Sequence, residues 1–167
     1  MAKILIIEDD NLMSKLYSKI FKFEQYEVVT AVNGAQGLEM AKLHKPTLIL
    51  LDIMMPEMNG LEVLDKLKAD NELKAIPVVV LTNLAGSQDA ESAMTKGAVR
   101  YIIKSEHDPK EVANMVKEIV LGHSRVKDPS DAIVTPQPVS PQEPPKPVTP
   151  PQVTVPQAPV SAPPPQQ

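Results

Sequence analysis

Short apolar segments alternate with longer segments of helical period along the first 120 or so residues. Five apolar runs stand out, at residues 3–7 (KILII), 26–30 (YEVVT), 47–51 (TLILL), 77–81 (PVVVL) and 99–103 (VRYII). The first, third and fourth are apolar at nearly every position, which is typical of strands covered on both faces of a parallel sheet. The second and fifth are more mixed, so we predict that they lie at the edges of that sheet.

The segments between these runs carry apolar residues at helical spacing. In the first of them the predicted core face is Leu12, Met13, Leu16, Tyr17 and Ile20. The predicted core faces of three later helices are Leu38, Met40 and Ala41, then Leu61, Leu64 and Leu67, and last Val112, Met115, Val116 and Ile119. A weaker helix is predicted at residues 86–96.

Residues that favour helix ends stand at the expected boundaries of these segments. Asn33-Gly34 and Asn59-Gly60 precede two of the helical segments, and Asp108-Pro109 gives the last one an Asp cap with Pro at its first position. A strand followed by a helix therefore recurs five times. This alternation predicts an α/β fold, (βα)5 and doubly wound, with a five-stranded parallel sheet and helices on both faces.

Composition divides the chain into two parts. The last 40 residues hold 14 of the 18 prolines and contain no aromatic residue, no Leu and no Met. Such a segment cannot bury enough apolar surface to offset the entropy lost on ordering. We predict a folded domain at residues 1–123 and a Pro-rich, disordered C-terminal tail at residues 124–167. Its repeated PxxP spacing is found in segments that dock in aromatic-lined grooves, but here the spacing arises from the proline content alone, which favours a semi-rigid spacer.

Charge and cysteine content exclude several classes of function. The formal net charge is −4, which argues against binding to nucleic acid or to an anionic membrane surface. The chain contains no cysteine, so disulfides, thiolate metal sites and cysteine nucleophiles are excluded. Its apolar N-terminal run is too short for a secretory signal, and we expect a cytoplasmic location.

Polar residues follow four of the five predicted strands. Glu8, Asp9 and Asp10 follow the first strand, Asp52 the third, Thr82 the fourth and Lys104 the fifth. The carboxyl ends of parallel strands share one edge of a sheet, where ligands bind in doubly wound folds. We therefore expect these side chains to converge.

Clustered carboxylates need a cation, and oxygen ligands without Cys or His favour Mg²⁺, or alternatively Mn²⁺. Asp9 and Asp52 are the predicted direct ligands, with Glu8 acting through water. An Asp carboxylate can also be a nucleophile that forms an aspartyl phosphate. Lys104 and the Thr82 hydroxyl would then stabilise the transferring phosphoryl group, so the residues indicate a phosphoryl-accepting Asp52.

Four stretches, IIEDD, LLDIMMPEMNG, VVVLTN and GAVRYIIKS, resemble in order the signature stretches of two-component response-regulator receiver domains. The resemblance covers residues 3 to about 121. It implies a single receiver domain similar to the chemotaxis regulators, with the flavodoxin-like strand order 2-1-3-4-5. It further implies phosphorelay signalling, with a histidine kinase or a histidine phosphotransfer protein as the phosphoryl donor and a downstream protein target that the sequence does not name.

The same resemblance implies a role for each matching residue. Asp52 would be the phosphoacceptor, while Glu8, Asp9, Asp52 and the backbone carbonyl of Met54 would hold the metal. Thr82 and Lys104 would contact the phosphoryl group. Thr82 and Tyr101 would be the switch residues, acting on a face built by the fourth helix, fifth strand and fifth helix. Such a protein catalyses only its own phosphorylation and dephosphorylation, and is not otherwise an enzyme.

The chain departs from the family pattern at four positions. Ser105 follows Lys104 where the family has a proline in a cis peptide; since a non-proline cis bond costs roughly 3 to 4 kcal/mol, a trans bond with a locally shifted loop becomes an alternative, and the sequence leaves the geometry open. Asn83 is larger than the residue usual after the switch Thr, which would narrow access to Asp52. Met54 and Leu84 replace polar residues that position the hydrolytic water in some relatives, so we predict slow hydrolysis of the phosphoryl group.

Two other functions fit the predicted fold. One is a phosphorylation-independent receiver-fold scaffold that acts through its surface and its Pro-rich tail; the retained acids, Thr82 and Lys104 argue against it. The other is a nucleotide or flavin binder, which would need a Gly-rich or Ser/Thr-rich phosphate loop after the first strand, where the chain has IIEDDN. Asp10 is interpreted as a helix cap and not as a metal ligand.

Overall fold

The computed structural model describes residues 1–125, with side chains up to residue 122. The predicted tail at residues 124–167 therefore lies, apart from its first two residues, outside the described part of the chain. Ten elements alternate within that part: β1 (Lys3–Ile7), α1 (Asn11–Phe23), β2 (Glu27–Ala31), α2 (Gly34–His44), β3 (Leu48–Leu51), α3 (Gly60–Ala69), β4 (Val78–Thr82), α4 (Ser87–Thr95), β5 (Arg100–Ile103) and α5 (Pro109–Arg125).

The five strands form one parallel sheet in the order β2-β1-β3-β4-β5. This confirms the predicted strand order and the placement of the second and fifth strands at the edges. In the register of the sheet, Ile7 of β1 lies opposite Leu51 of β3. The polar residues that follow β1 and β3 are thereby brought side by side.

Helices cover both faces of the sheet and bury two apolar layers. One layer joins alternate strand residues such as Leu5 and Ile49 to α2, α3 and α4, through residues such as Leu64. The other joins Ile6 and Leu50 to α1 and α5. We call these two sides the α2/α3/α4 face and the α1/α5 face. Each fully buried aliphatic side chain stabilises the fold by roughly 1.5 to 3 kcal/mol.

The predicted core face of α1 was wrong at two positions. Leu12 is 77% exposed and Leu16 is 40% exposed, whereas Tyr17 and Phe21 are buried. The rings of Tyr17 and Phe21 lie 6.4 Å apart in a stacked arrangement. Because these aromatic rings bury more area than two leucines, they set the rotation of the helix, and the leucines are left on its outer side.

Side-chain caps fix where several helices begin. The side chains of Asp10, Asn33 and Asn59 accept hydrogen bonds from backbone N–H groups in the first turns of α1, α2 and α3. Helix α5 begins at Pro109 as predicted, and the Asp108 N–H donates to the Glu111 carboxylate. The interpretation of Asp10 as a cap is confirmed, because its Oδ1 accepts from the Leu12 N–H at 2.7 Å.

Candidate functional site

Strand alternation positions three of the predicted site residues. Side chains two residues apart on a strand point to the same face, and Ile6, Leu50 and Ile102 all pack on the α1/α5 face. Two positions after these three residues, the sequence has Glu8, Asp52 and Lys104. The polar site therefore continues the apolar layer of the α1/α5 face beyond the ends of β1, β3 and β5.

Lys104 joins the two acids of this row. Its Nζ lies 2.6 Å from Glu8 Oε2 and 2.7 Å from Asp52 Oδ2. The three side chains are only 3%, 4% and 6% exposed, for Lys104, Glu8 and Asp52 respectively. One ammonium group thus faces two buried carboxylates, and its charge cannot neutralise both.

Asp9 adds a third carboxylate at the solvent side of this pair. Carboxylate oxygens of Glu8, Asp9 and Asp52 all lie within 4.8 Å of one another. Asp9 is exposed, whereas Glu8 and Asp52 are buried. Oxygen-only donors at this spacing with excess negative charge fit a small hard cation such as Mg²⁺.

Burial acts on the pKa values of both Glu8 and Lys104. It raises the pKa of Glu8 to about 7, although the hydrogen bond and charge of Lys104 act in the opposite direction. For Lys104, burial is the largest single cause and would lower the pKa, but the hydrogen bonds and the negative charges of Asp52 and Glu8 together outweigh it and raise the pKa. The lysine therefore stays charged, while Glu8 can take up a proton near neutral pH.

The loop after β3 holds the second oxygen of Asp52. The backbone N–H of Met54 donates to Asp52 Oδ1 at 3.0 Å, while the Met54 side chain is 56% exposed. Only glycine fits at position 60, where this loop ends, because a Cβ there would lie only 2.1 Å from the backbone oxygen of Asp52. Both carboxylate oxygens of Asp52 thus have a fixed partner, one on each side.

Leu84 connects the two predicted switch residues through its backbone. Its N–H donates to the hydroxyl oxygen of buried Thr82 at 3.3 Å. Its carbonyl accepts from the Tyr101 hydroxyl at 2.8 Å. Burial raises the pKa of Tyr101, and the nearby charges of Asp89 and Asp52 add to this effect, so its hydroxyl stays protonated as a donor.

The departures from the family pattern also have structural outcomes. In the described part of the chain every peptide bond is trans, including the bond between Lys104 and Ser105, whose geometry the sequence left open. Asn83 is exposed beside Thr82. The predicted metal contact of the Met54 carbonyl stays a prediction, since the structure describes only the N–H contact of that residue with Asp52.

The sequence predicts the side chains of the site but not three backbone contacts that hold them. The N–H of Met54 and both backbone groups of Leu84 hold Asp52, Thr82 and Tyr101 in place. Every non-proline residue has the same backbone groups, so residue type gives no signal for such contacts. Among the described residues, no helix combines the length and the apolar character needed to cross a membrane.

The chain is similar to known proteins in both sequence and structure. The family profile described as "Response regulator receiver domain" matches residues 4–117. The polar-differentiation response regulator DivK of Brucella anthropi is 41% identical over 101 residues, which cover 60% of this chain and 82% of that protein. The DivK protein of Brucella ovis is 40% identical over the same length and with the same coverage.

Solved structures of receiver domains have the same architecture. A CheY-like response regulator receiver domain from Methanospirillum hungatei superposes with a TM-score of 0.70 at 27% identity, covering 75% of this chain and 98% of that one. The signal receiver domain of a histidine kinase from Syntrophus aciditrophicus gives a TM-score of 0.68 at 28% identity, covering 81% of this chain and 98% of that one.

Proposed function

Because the chain belongs to the response regulator receiver domain family, we propose that it accepts a phosphoryl group on Asp52 from a phosphohistidine. The donor is a histidine kinase or a histidine phosphotransfer protein, and the modification switches protein contacts in a phosphorelay. The observation that carries this proposal is the contact of Lys104 with both Glu8 and Asp52 at 2.6 and 2.7 Å.

An acceptor carboxylate must be ionised and fixed in orientation. It must also lie next to a positive charge that can pair with the phosphoryl oxygens after transfer. Asp52 is held by Lys104 at Oδ2 and by the Met54 N–H at Oδ1. An oxygen of Asp52 attacks the phosphorus, a P–O bond forms, and the P–N bond to the donor histidine breaks with its electron pair left on the imidazole. Lys104 then pairs with oxygens of the transferred group.

Glu8, Asp9, Asp52 and the backbone carbonyl of Met54 would hold a Mg²⁺ ion, or Mn²⁺ in its place. The oxygen-only donor set with its carboxylates within 4.8 Å of one another supports this assignment. The ion supplies positive charge that neutralises the crowded acids and the phosphoryl oxygens.

The switch acts through Thr82 and Tyr101. The Thr82 hydroxyl donates to the phosphoryl group once it is on Asp52. Since Leu84 contacts both Thr82 and Tyr101, a shift of Thr82 changes the hydrogen bond of Tyr101 and the surface formed by α4, β5 and α5. A downstream protein that binds only one of the two forms of this surface would respond to phosphorylation of Asp52.

The protein acts only on itself and on its phosphoryl donor, so we do not propose an enzyme with an external substrate. Its acidic balance, with a formal net charge of −4, supports a protein target and not nucleic acid or a membrane surface. We propose that a phosphorelay component of this kind acts in the cytoplasm.

The test is the intact mass of the full chain after incubation with acetyl phosphate and Mg²⁺. Wild type gains the mass of one phosphoryl group, the gain needs Mg²⁺, and Asp52→Asn abolishes it. Asp10→Asn is the matched control, because Asn is an equally good cap for α1 and Asp10 is not part of the proposed site. A phosphohistidine donor protein provides the second assay.

No gain from either donor would refute the proposal and favour the phosphorylation-independent scaffold. A gain that persists in Asp52→Asn would place the acceptor elsewhere. A gain from the phosphohistidine donor alone supports the proposal and shows that Asn83 restricts access of small donors.

A further inference from the structure

A methionine stands beside the acceptor carboxylate and is open to solvent. Met54 is 56% exposed, and its N–H lies 3.0 Å from Asp52 Oδ1. With standard bond lengths, the Cα of Met54 is within roughly 4.5 Å of that oxygen. The backbone of Met54 therefore borders the acceptor carboxylate, and its side chain starts from this border and is open to solvent.

Methionine is the most easily oxidised residue type that this chain offers. The chain contains eight methionines and no cysteine, so peroxide cannot be consumed by a thiol. All eight methionines lie within the described residues, and three of them have an exposed side chain, Met1, Met54 and Met94. The neighbour Met55 is only 8% exposed. Met54 is the exposed methionine on the loop that holds Asp52.

We propose that Met54 is a peroxide-sensitive modification site whose sulfoxide shortens the lifetime of the phosphoryl group on Asp52. In the oxidation, one oxygen of hydrogen peroxide is transferred to the sulfur, an S–O bond forms and the O–O bond breaks. The sulfur loses two electrons, and the peroxide is reduced to water. The second half of this inference depends on the proposed phosphorylation of Asp52; the oxidation of Met54 does not.

The physical reason is the change in hydrogen bonding beside the acyl phosphate. A thioether is a weak acceptor and cannot orient a water molecule, whereas a sulfoxide oxygen is polar and accepts strong hydrogen bonds. Hydrolysis requires a water positioned in line with the bond that breaks. One hydrogen bond made to that water in the transition state increases the rate about fivefold.

The first measurement locates the oxidation. The full chain is treated with hydrogen peroxide at a low molar excess, digested, and mapped by mass spectrometry. We expect Met54 to gain one oxygen, and oxidation of the adjacent Met55 to be a minor product. Met54 left unmodified after Met94 is fully oxidised would overturn the inference, since these two side chains have similar exposure, 56% and 47%.

The second measurement is the rate of phosphoryl loss after the phosphoryl donor is removed. Oxidised wild type loses the group about fivefold faster than untreated wild type. Met54→Leu has no thioether, so its rate is unchanged by peroxide, whereas Met94→Leu keeps the response. Met54→Gln places a polar oxygen at the same position and responds in the same direction without peroxide.

An oxidised Met54 with an unchanged rate of phosphoryl loss overturns the inference and leaves the proposed function intact. A response that survives Met54→Leu also overturns it, because another residue would then be responsible. Failure of the untreated protein to gain a phosphoryl group refutes the proposed function itself, and the peptide map separates that failure from an unreactive Met54.

Discussion

The hydroxyl of Tyr101 donates a hydrogen bond of 2.8 Å to the backbone carbonyl of Leu84, in the loop between β4 and α4. The N–H of the same residue donates to Thr82 at 3.3 Å. One loop residue thus connects the end of β4 to the ring of Tyr101 on edge strand β5. This connection leads from Thr82, a residue of the proposed phosphorylation site, to Tyr101 on the surface formed by α4, β5 and α5.

Tyr101→Phe removes this bond and keeps the ring. We expect the free energy of unfolding to fall by about 1 kcal/mol, measured by urea denaturation. We also expect that phosphorylation of Asp52 no longer shifts the amide resonances of α4. Tyr26→Phe is the reference for loss of a tyrosine hydroxyl, since the ring of Tyr26 packs edge-on against Phe21 and Tyr26 precedes β2, at the opposite end of the parallel sheet from the site. If phosphorylation shifts the α4 resonances of Tyr101→Phe as much as those of wild type, Tyr101 does not transmit the signal.

Stability without divalent metal should fall as pH rises, because of Glu8. Burial raises its pKa in the folded state from 4.5 to about 7, so the folded protein holds a proton that the unfolded chain releases between these values. The contribution of Glu8 is therefore fully present below pH 4.5 and is lost as pH approaches 7. The loss is up to about 3 kcal/mol.

Glu8→Gln cannot titrate and should not show this loss. In a chelator, wild type should lose stability relative to the variant between pH 5 and 7.5, and Mg²⁺ should restore it at the upper pH. Urea denaturation at both pH values provides the measurement, with Glu91→Gln on the exposed side of α4 as baseline. Parallel pH profiles for wild type and Glu8→Gln would contradict the raised pKa of Glu8.

Glu57 adopts a left-handed backbone conformation, with φ of 67°, in the loop after Asp52. This conformation costs a residue with a Cβ about 1 to 2 kcal/mol, which glycine avoids. After the greater entropy loss of glycine is deducted, we expect Glu57→Gly to raise the free energy of unfolding by about 0.5 to 1 kcal/mol. Glu91→Gly, inside α4, should lower it by about 1 kcal/mol. Equal effects of the two substitutions would show that the loop conformation is not strained.

The phosphoryl group on Asp52 should be lost slowly in the unmodified protein. Met54 and Leu84 lie two positions after Asp52 and Thr82, and their apolar side chains offer water no strong hydrogen-bond partner. We expect a half-life in Mg²⁺ well beyond seconds, followed as the decay of the phosphorylated mass after the donor is removed. Leu84→Gln should shorten it about fivefold, while its backbone contacts with Thr82 and Tyr101 are kept. A half-life of seconds in wild type would contradict the prediction.

The fold followed from the apolar pattern because strands buried on both faces leave little freedom of interpretation. TLILL and PVVVL are apolar at nearly every position, which is typical of strands covered on both faces of a parallel sheet, and the mixed runs fit its edges. Alternation along β1, β3 and β5 then places Glu8, Asp52 and Lys104 on one face, because side chains two residues apart share a face. The candidate site therefore followed from strand ends and strand parity.

The rotation of α1 could not be predicted in the same way. Leu12, Leu16 and Tyr17 all fit a helical apolar stripe, and several adjacent stripes are possible on one helix. The choice depends on which side chains fill the space above the sheet. Tyr17 and Phe21 fill it together with residues of α5, which lie about a hundred positions away in the sequence.

Fold class, the edge placement of the mixed strands and the identity of the polar residues at the site were thus encoded in local patterns of residue type, whereas the full strand order was implied by the family resemblance. The contacts that give these residues their chemistry were set by long-range packing. Lys104 and Glu8 are 96 positions apart, and the backbone groups of Met54 and Leu84 have no signature in residue type. Their positions depend on how the strands register and how the loops close, since hydrogen bonds form only between groups that packing has already brought within reach.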